Sequence, residues 1–217
     1  MTKEEYRQKF TDEDAVGWLA IDNELEKLYP RQEPRHYGTV LKYMVGGEEP
    51  LDGLSIYESN KQTNHFHIVS YGFSQLYYDE ESAGEEFSKW GFELTFRIRK
   101  INNEKPEDQI WALNMMQNLA KYVFKNNKWF EEYHTIDANG SIRIGYNTDI
   151  TALVFVSDPE LDTIETPNGQ VQFLQIVGLT AKEYEDLKQN RIANNPKEFI
   201  SQLMTDNPLM ITDLDRK

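Results

Sequence analysis

Two histidines, His65 and His67, make the sequence's most explicit offer of chemistry. Alternate residues of a β-strand share a face, so the two imidazoles would point the same way. With a carboxylate such as Glu93 they would supply three ligands for a divalent metal, the arrangement a metal-dependent hydrolase uses to activate water. The competing reading is structural: two rings bonded to backbone or packed on aromatic neighbours. A Ser70, His67, Asp79 triad can also be drawn, but no Gly-x-Ser-x-Gly elbow surrounds Ser70, and a chain of 217 residues offers such trios by chance. His36 and His134 carry no spacing signature. There is no cysteine, which removes disulfides, thiolate zinc sites and thiol nucleophiles. Carboxylates number 37, so their proximity in sequence says nothing about a glycosidase pair, which needs a defined separation. Gly46-Gly47 lack the remainder of a phosphate-binding fingerprint and read as a positive-φ turn before Pro50. No residue set calls for a cofactor.

A different pattern points to binding. Tyr71, Phe73, Tyr77 and Tyr78 run into the acidic block Asp79-Glu80-Glu81, with Glu85-Glu86 beyond. Aromatic anchors beside charge are what protein interfaces use: burial for affinity, charge for steering. Phe73 and Leu76 read as core. Tyr77, Tyr78, Asp79, Glu80 and Glu81 form the candidate partner-binding set. The whole chain carries 37 acidic against 23 basic residues, a net charge of −14. That balance repels phosphate backbones and anionic membranes and speeds encounter with basic proteins. The competing reading of the charge is solubility alone. The start, Met1 to Arg7, has no apolar h-region, and no apolar run reaches the ~18 residues of a membrane span. The expectation is a cytoplasmic monomer that binds a protein, not nucleic acid or membrane.

The elements that must position these residues are legible in outline. Residues 12–29 read as a helix with Val16, Leu19, Leu25 and Leu28 inward, Asp12 or Asp14 as cap and Pro30 as stop. Residues 31–35 read as a linker. Val40 to Val45, Leu54 to Tyr57 and Phe66 to Tyr71 read as strands. Phe92, Leu94, Phe96 and Ile98 alternate with Glu93, Thr95, Arg97 and Arg99, the pattern of a half-buried antiparallel strand with one wet face. Gln109 to Lys125 is a helix carrying Ile110, Leu113, Met116, Ala120, Val123 and Phe124 at 3.6-residue spacing, with Trp129 and Phe130 packed beneath its end. Ile150 to Val156 and Val171 to Val177 are strands, with Leu161 to Glu165 extending the pairing. Thr166-Pro167-Asn168-Gly169 supplies type I turn chemistry between them. Thr180 with Glu183 is a capping box, and Asn195-Pro196 with Glu198 is a further helix start. Met210-Ile211 closes a sheet. Interspersed helices with dominant hairpin signals give an α+β fold: mixed, largely antiparallel sheets flanked by helices. No linker demands two domains, so residues 1–217 read as one, with a helical N-terminal segment over 1–30.

Five segments in order resemble the suppressor of fused family. They are Lys42-Tyr43 with Gly46 to Tyr57; His65 to Tyr77; Gly91 to Arg97; Leu119 to Phe124; and Thr166 to Thr180. The resemblance runs from about Tyr37 to Leu214. It implies an α+β domain like that family's N-terminal domain, without enzymatic activity. Larger animal members pair this domain with a second, C-terminal one and sequester Gli transcription factors, gripping an added strand between the two. The chain ends near the end of the first domain, so that clamp does not transfer whole. Short members resemble a bacterial branch associated with immunity proteins that neutralise toxins, which suggests a toxin, a basic one included, as partner. The resemblance places Asp79 at the family's acidic position beyond Ser-x-x-Leu-Tyr, beside the peptide surface.

Overall fold

Residues 169–180 carry only four polar side chains, Gln170, Gln172, Gln175 and Thr180, and a strand so apolar must be covered on both faces. In the computed structural model, which describes residues 1–189 and 196–217, this segment is a central strand. The eight strands are β1 (Arg35–Gly38), β2 (Gly53–Ser59), β3 (His65–Tyr71), β4 (Phe87–Arg99), β5 (Thr135–Asp137), β6 (Ile150–Ser157), β7 (Ile164–Thr166) and β8 (Gly169–Thr180). They form one sheet in the order β1-β2-β3-β4-β8-β6-β5, with β7 paired to the start of β8. Only β4 and β8 run parallel; every other pairing is antiparallel. The fold is therefore α+β and largely antiparallel. The Thr166 to Gly169 turn closes the β7–β8 hairpin as its residues dictate, with Gly169 at φ +108.

Among the described residues five α-helices flank the sheet: α1 (Lys3–Lys9), α2 (Val16–Leu28), α3 (Ile110–Asn126), α4 (Ala181–Lys188) and α5 (Pro196–Asp206). One sheet face receives α3, whose Leu113, Met116, Ala120 and Val123 pack against Phe66, Leu94 and Phe96. The opposite face receives α2, where Ile21 and Leu25 meet Tyr57, Val69, Tyr71 and Phe173. Phe199 and Ile200 of α5 cover Val154, Val177 and Leu179. Each such fully buried side chain contributes ~1.5–3 kcal/mol of transfer free energy. The C-terminal segment wedges between β4 and β8 where they part. Thr212 bridges Ile98 in parallel, and its Oγ1 accepts from the Gly178 amide at 2.9 Å. The sheet closure expected at Met210-Ile211 thus occurs through the next residue. Gly178 is required there, because a Cβ would sit 2.7 Å from the Thr212 methyl.

Several expectations are corrected. The first long helix starts at Val16, not near residue 12, because Asp14 bonds the amide and hydroxyl of Thr11 and leaves Ala15 as a cap without a side-chain bond. Leu19 is 55% exposed and Ile21 takes its inward place. The preceding helix α1 went unread, although Thr2 and Glu5 form its capping box. Val40 to Val45 is not a strand: β1 ends at Gly38, and the chain makes a 3-10 turn at Tyr43–Val45. Ile110 and Trp129 face outward, whereas Phe130 packs as expected. The Thr180–Glu183 box forms. Asn195 lies outside the described residues. Most consequentially, the face expected to be wet is covered along most of its length: Glu93, Thr95 and Arg97 are as buried as Leu94 and Phe96, and of that set Arg99 alone is exposed.

Candidate protein-binding surface

The covered face of β4 decides the metal reading. Antiparallel register sets His67 opposite Arg97, and parallel register sets Thr95 opposite Gln175. Above them lie Tyr29, at the end of α2, and the 158–161 segment after β6. Arg97 forks onto Asp158, Nη1 to Oδ2 at 2.6 Å and Nη2 to Oδ1 at 3.1 Å, and reaches Glu160 at 3.1 Å and the side-chain Oε1 of Gln175. Asp158 also accepts from the Thr95 hydroxyl and from the amides of Glu160 and Leu161. The Tyr29 hydroxyl lies 2.7 Å from His67 Nδ1, and His67 Nε2 faces Asp158 at 3.3 Å. That geometry suits a neutral ring protonated on Nε2, with Tyr29 donating to Nδ1. Burial and then the Arg97 charge push His67 down to about 4. Burial alone would raise Asp158, but its contacts with His67 and Arg97 hold it far below the usual carboxylate range. With His67 neutral, Arg97 is the charge that keeps Asp158 ionised.

Nothing here opens to a metal or a substrate. His65 and His67 are fully buried, and His65 Nδ1 bonds the Thr63 carbonyl. Glu93, the candidate third ligand, instead accepts from the Ser70 and Ser74 hydroxyls and the amides of Gly72 and Ser74. Among the described residues no three His, Asp or Glu side chains converge as a metal site. Ser70 is committed to Glu93, and Asp79 caps a short turn through the Glu81 amide and Ser82 hydroxyl. The Ser70, His67, Asp79 trio is not assembled.

The sign of the His67 shift gives a pH expectation. Its pKa is lower folded than unfolded, so between pH 6.5 and 4 the unfolded chain binds more protons and stability falls as pH falls. The contribution is on the order of 3 kcal/mol. His65 and His36 are also lowered by burial and act in the same sense, while Glu93, raised by burial, acts oppositely. Urea unfolding between pH 7 and 4 should therefore show a shallower acid loss in His67→Gln than in wild type. Equal slopes would mean that His67 binds its proton alike in the folded and unfolded chain.

The predicted partner-binding residues lie together, but their own chain engages them. Helix α1 docks on the acidic turn: Lys3 pairs with Glu81 at 2.7 Å and Arg7 with Glu80 at 2.6 Å. Between these pairs Tyr6 is buried, donating to Asn168 Oδ1 at 2.6 Å and accepting from the Asp79 amide. Tyr78, half-buried, packs on Tyr6 and donates to Glu80. Tyr77 is half-buried with the Lys42 ammonium 3.7 Å above its ring.

That contact leads to what the sequence did not show. Lys42 belongs to a loop that exposes apolar side chains with no cover: Val40 fully, Met44 at 78%, Val45 at 69%, and Leu41 beside them. The loop is built, not frayed. The amides of Val45 and Gly47 donate to the Lys42 carbonyl, Gly46 takes φ +97, and Tyr43 packs edge-on against Phe124 of α3. Gly47 passes so close to the Leu41 carbonyl that no Cβ would fit. Exposed apolar side chains held in this way are a feature that interaction sites use. The only sequence signal was Gly-Gly ending an apolar run that lacks alternation.

A family model described as suppressor of fused protein (SUFU) matches residues 47–217. The chain belongs to the suppressor of fused family. It is 33% identical to human Suppressor of fused homolog over 219 aligned residues, covering 92% of this chain and 43% of the human protein; the mouse homologue matches equally. The chain thus spans less than half the length of these curated relatives. It superposes on Drosophila Suppressor of Fused with TM-score 0.83 at 31% identity, over 95% of this chain and 52% of the fly chain. A chain of the Sufu–Fu complex crystal structure gives TM-score 0.83 at 31% identity, over 94% of this chain and 91% of that one. A putative SUFU homologue from Neisseria gonorrhoeae gives 0.62 at 15% identity, over 93% and 95%, a likeness of fold. Suppressor of fused domains are protein-binding domains. The matched segment begins at Gly47, so it contains the acidic turn and adjoins the apolar loop. No helix among the described residues is long and apolar enough to cross a membrane.

Proposed function

We propose that this chain is a non-enzymatic protein-binding module, one folded unit acting as a cytoplasmic monomer. Its docking surface joins the Val40–Val45 loop, Tyr77 and the acidic turn at Asp79, Glu80 and Glu81. The observation that carries the reading is the uncovered apolar loop, hydrogen-bonded onto itself and seated on Tyr77 through Lys42. Apolar anchoring with acidic steering suits a basic protein segment, and the mechanism is occlusion of that segment. The pairing of Lys3 and Arg7 with the acidic turn supports the same preference, since the chain's own basic helix satisfies those carboxylates. Membership of a family that includes the Sufu of the Sufu–Fu complex favours a protein partner. A toxin held by an immunity-type protein is one partner of this kind. The hydrolase alternative at His65 and His67 has no supporting observation.

The test uses the partner retained by tagged protein at low salt, then purified and titrated. Glu80→Ala with Glu81→Ala is expected to weaken binding about 2–5-fold and flatten its salt dependence. Asp79 is left intact because it caps the turn. Unchanged affinity and slope would remove the acidic turn from the surface.

A further inference from the structure

A second surface, adjoining the loop through Lys89, has its own chemistry. Where β4 enters the sheet, its register with β8 breaks: Phe87 opposes Gln170, and the next pair is Phe92 with Gln172. The strand advances five residues against two, and bulges of this kind re-aim side chains beside binding sites. Within the bulge Lys89 takes φ +55 and Gly91 φ +78, and the Phe87 ring folds over Gly91, whose Cβ would lie 3.3 Å from that of Phe87. The result is a cavity of about 570 Å³ walled by Phe87, Trp90, Trp129 and Phe130. That volume falls in the range of small-ligand sites. Phe87 and Trp129 are each 54% exposed, an unusual cost for two large rings unless something covers them.

Two carboxylates and one ammonium line this cavity, and His134 Nε2 lies 3.5 Å from Glu131. Glu131 and Glu132 stand at its mouth, and Glu131 accepts from the Trp129 indole N–H at 3.0 Å, which fixes ring and carboxylate together. The one cation in the wall, Lys89, turns its ammonium away onto the Gly72 carbonyl at 2.7 Å and the Phe124 ring. Aromatic faces carry negative potential and attract cations with an apolar shell. We propose that this cavity binds a trimethylammonium group, held by the faces of Trp90 and Trp129 and by the charge of Glu131 and Glu132.

The four indole N–H resonances provide the test, because Trp18 and Trp111 lie outside the cavity and serve as controls. Full-length ¹⁵N-labelled protein is titrated with choline chloride, with acetylated trimethyl-lysine amide, and with the neutral isostere 3,3-dimethyl-1-butanol, against sodium chloride at matched ionic strength. Saturable shifts of Trp90 and Trp129 with either cation, at least about 3-fold tighter than with the alcohol, support the proposal. Tighter binding of choline assigns a free small molecule as source, and tighter binding of the lysine derivative assigns a modified protein. Trp129→Ala should abolish the Trp90 shift, and Glu131→Gln with Glu132→Gln should weaken it, while the Trp18 and Trp111 resonances report an intact fold. Equal affinity for the alcohol, movement of all four indoles, or no shift would overturn it.

Discussion

Replacing Arg97 by Met is expected to cost about 3–5 kcal/mol, the scale for removing one partner of a buried ion pair. The reason is what remains. Asp158 would lose its counter-charge in a site from which water is excluded, leaving the Thr95 hydroxyl, two amides and the neutral His67 ring to hold it. Glu160, at the rim, would lose its contact with the guanidinium as well. Whole domains are stable by only ~5–15 kcal/mol, so the variant should be unfolded or marginal at room temperature, as read by urea titration. Adding Asp158→Asn separates charge from packing. If the stranded carboxylate is the cause, the double variant recovers a substantial part of the loss. If lost packing of the Arg97 stem is the cause, the double variant is no better than the single one. A loss below about 1 kcal/mol in Arg97→Met would mean that the seam admits water.

This seam also shows where reading the sequence stopped. Local chemistry was legible wherever it was self-contained. Thr180 with Glu183, and Thr166 through Gly169, fix their own turns through bonds among neighbours, and both appear as read. The alternation along β4 was legible as well, but its meaning was not. Period two says that Glu93, Thr95 and Arg97 share a face; it cannot say whether that face meets water. The cover comes from Tyr29 and Asp158, each about 60 or more residues from Arg97 in the chain, and a pattern within one strand carries no trace of them. The acidic block has a distant neighbour of the same kind: the helix whose Lys3 and Arg7 pair with Glu81 and Glu80 lies more than 70 residues earlier. Val40 to Val45 erred in the other direction. Apolar content suggested a buried strand, yet Gly46-Gly47 closes the segment on itself before it can pair.

The binding surface makes the second large prediction. Met44→Asp with Val45→Asp should leave stability within about 0.5 kcal/mol of wild type, since neither side chain is buried in the fold. Partner affinity should fall about 30-fold or more, the scale for losing an interface anchor worth ~2 kcal/mol. Gly47→Ala distinguishes the loop's shape from its composition. It keeps every apolar side chain but forces a Cβ against the Leu41 carbonyl, so the loop must reopen and present Met44 and Val45 differently. If shape matters, Gly47→Ala should bind as poorly as the double aspartate variant while unfolding near the wild-type urea midpoint. If affinity survives in Gly47→Ala and falls only in the aspartate variant, the partner reads apolar character without a fixed geometry. If both variants bind as wild type, the loop is not the anchor. Because Lys42 of this loop sits on Tyr77, disturbing the loop also uncovers that ring. A Tyr77→Ala variant with wild-type affinity would then confine the anchor to the loop itself.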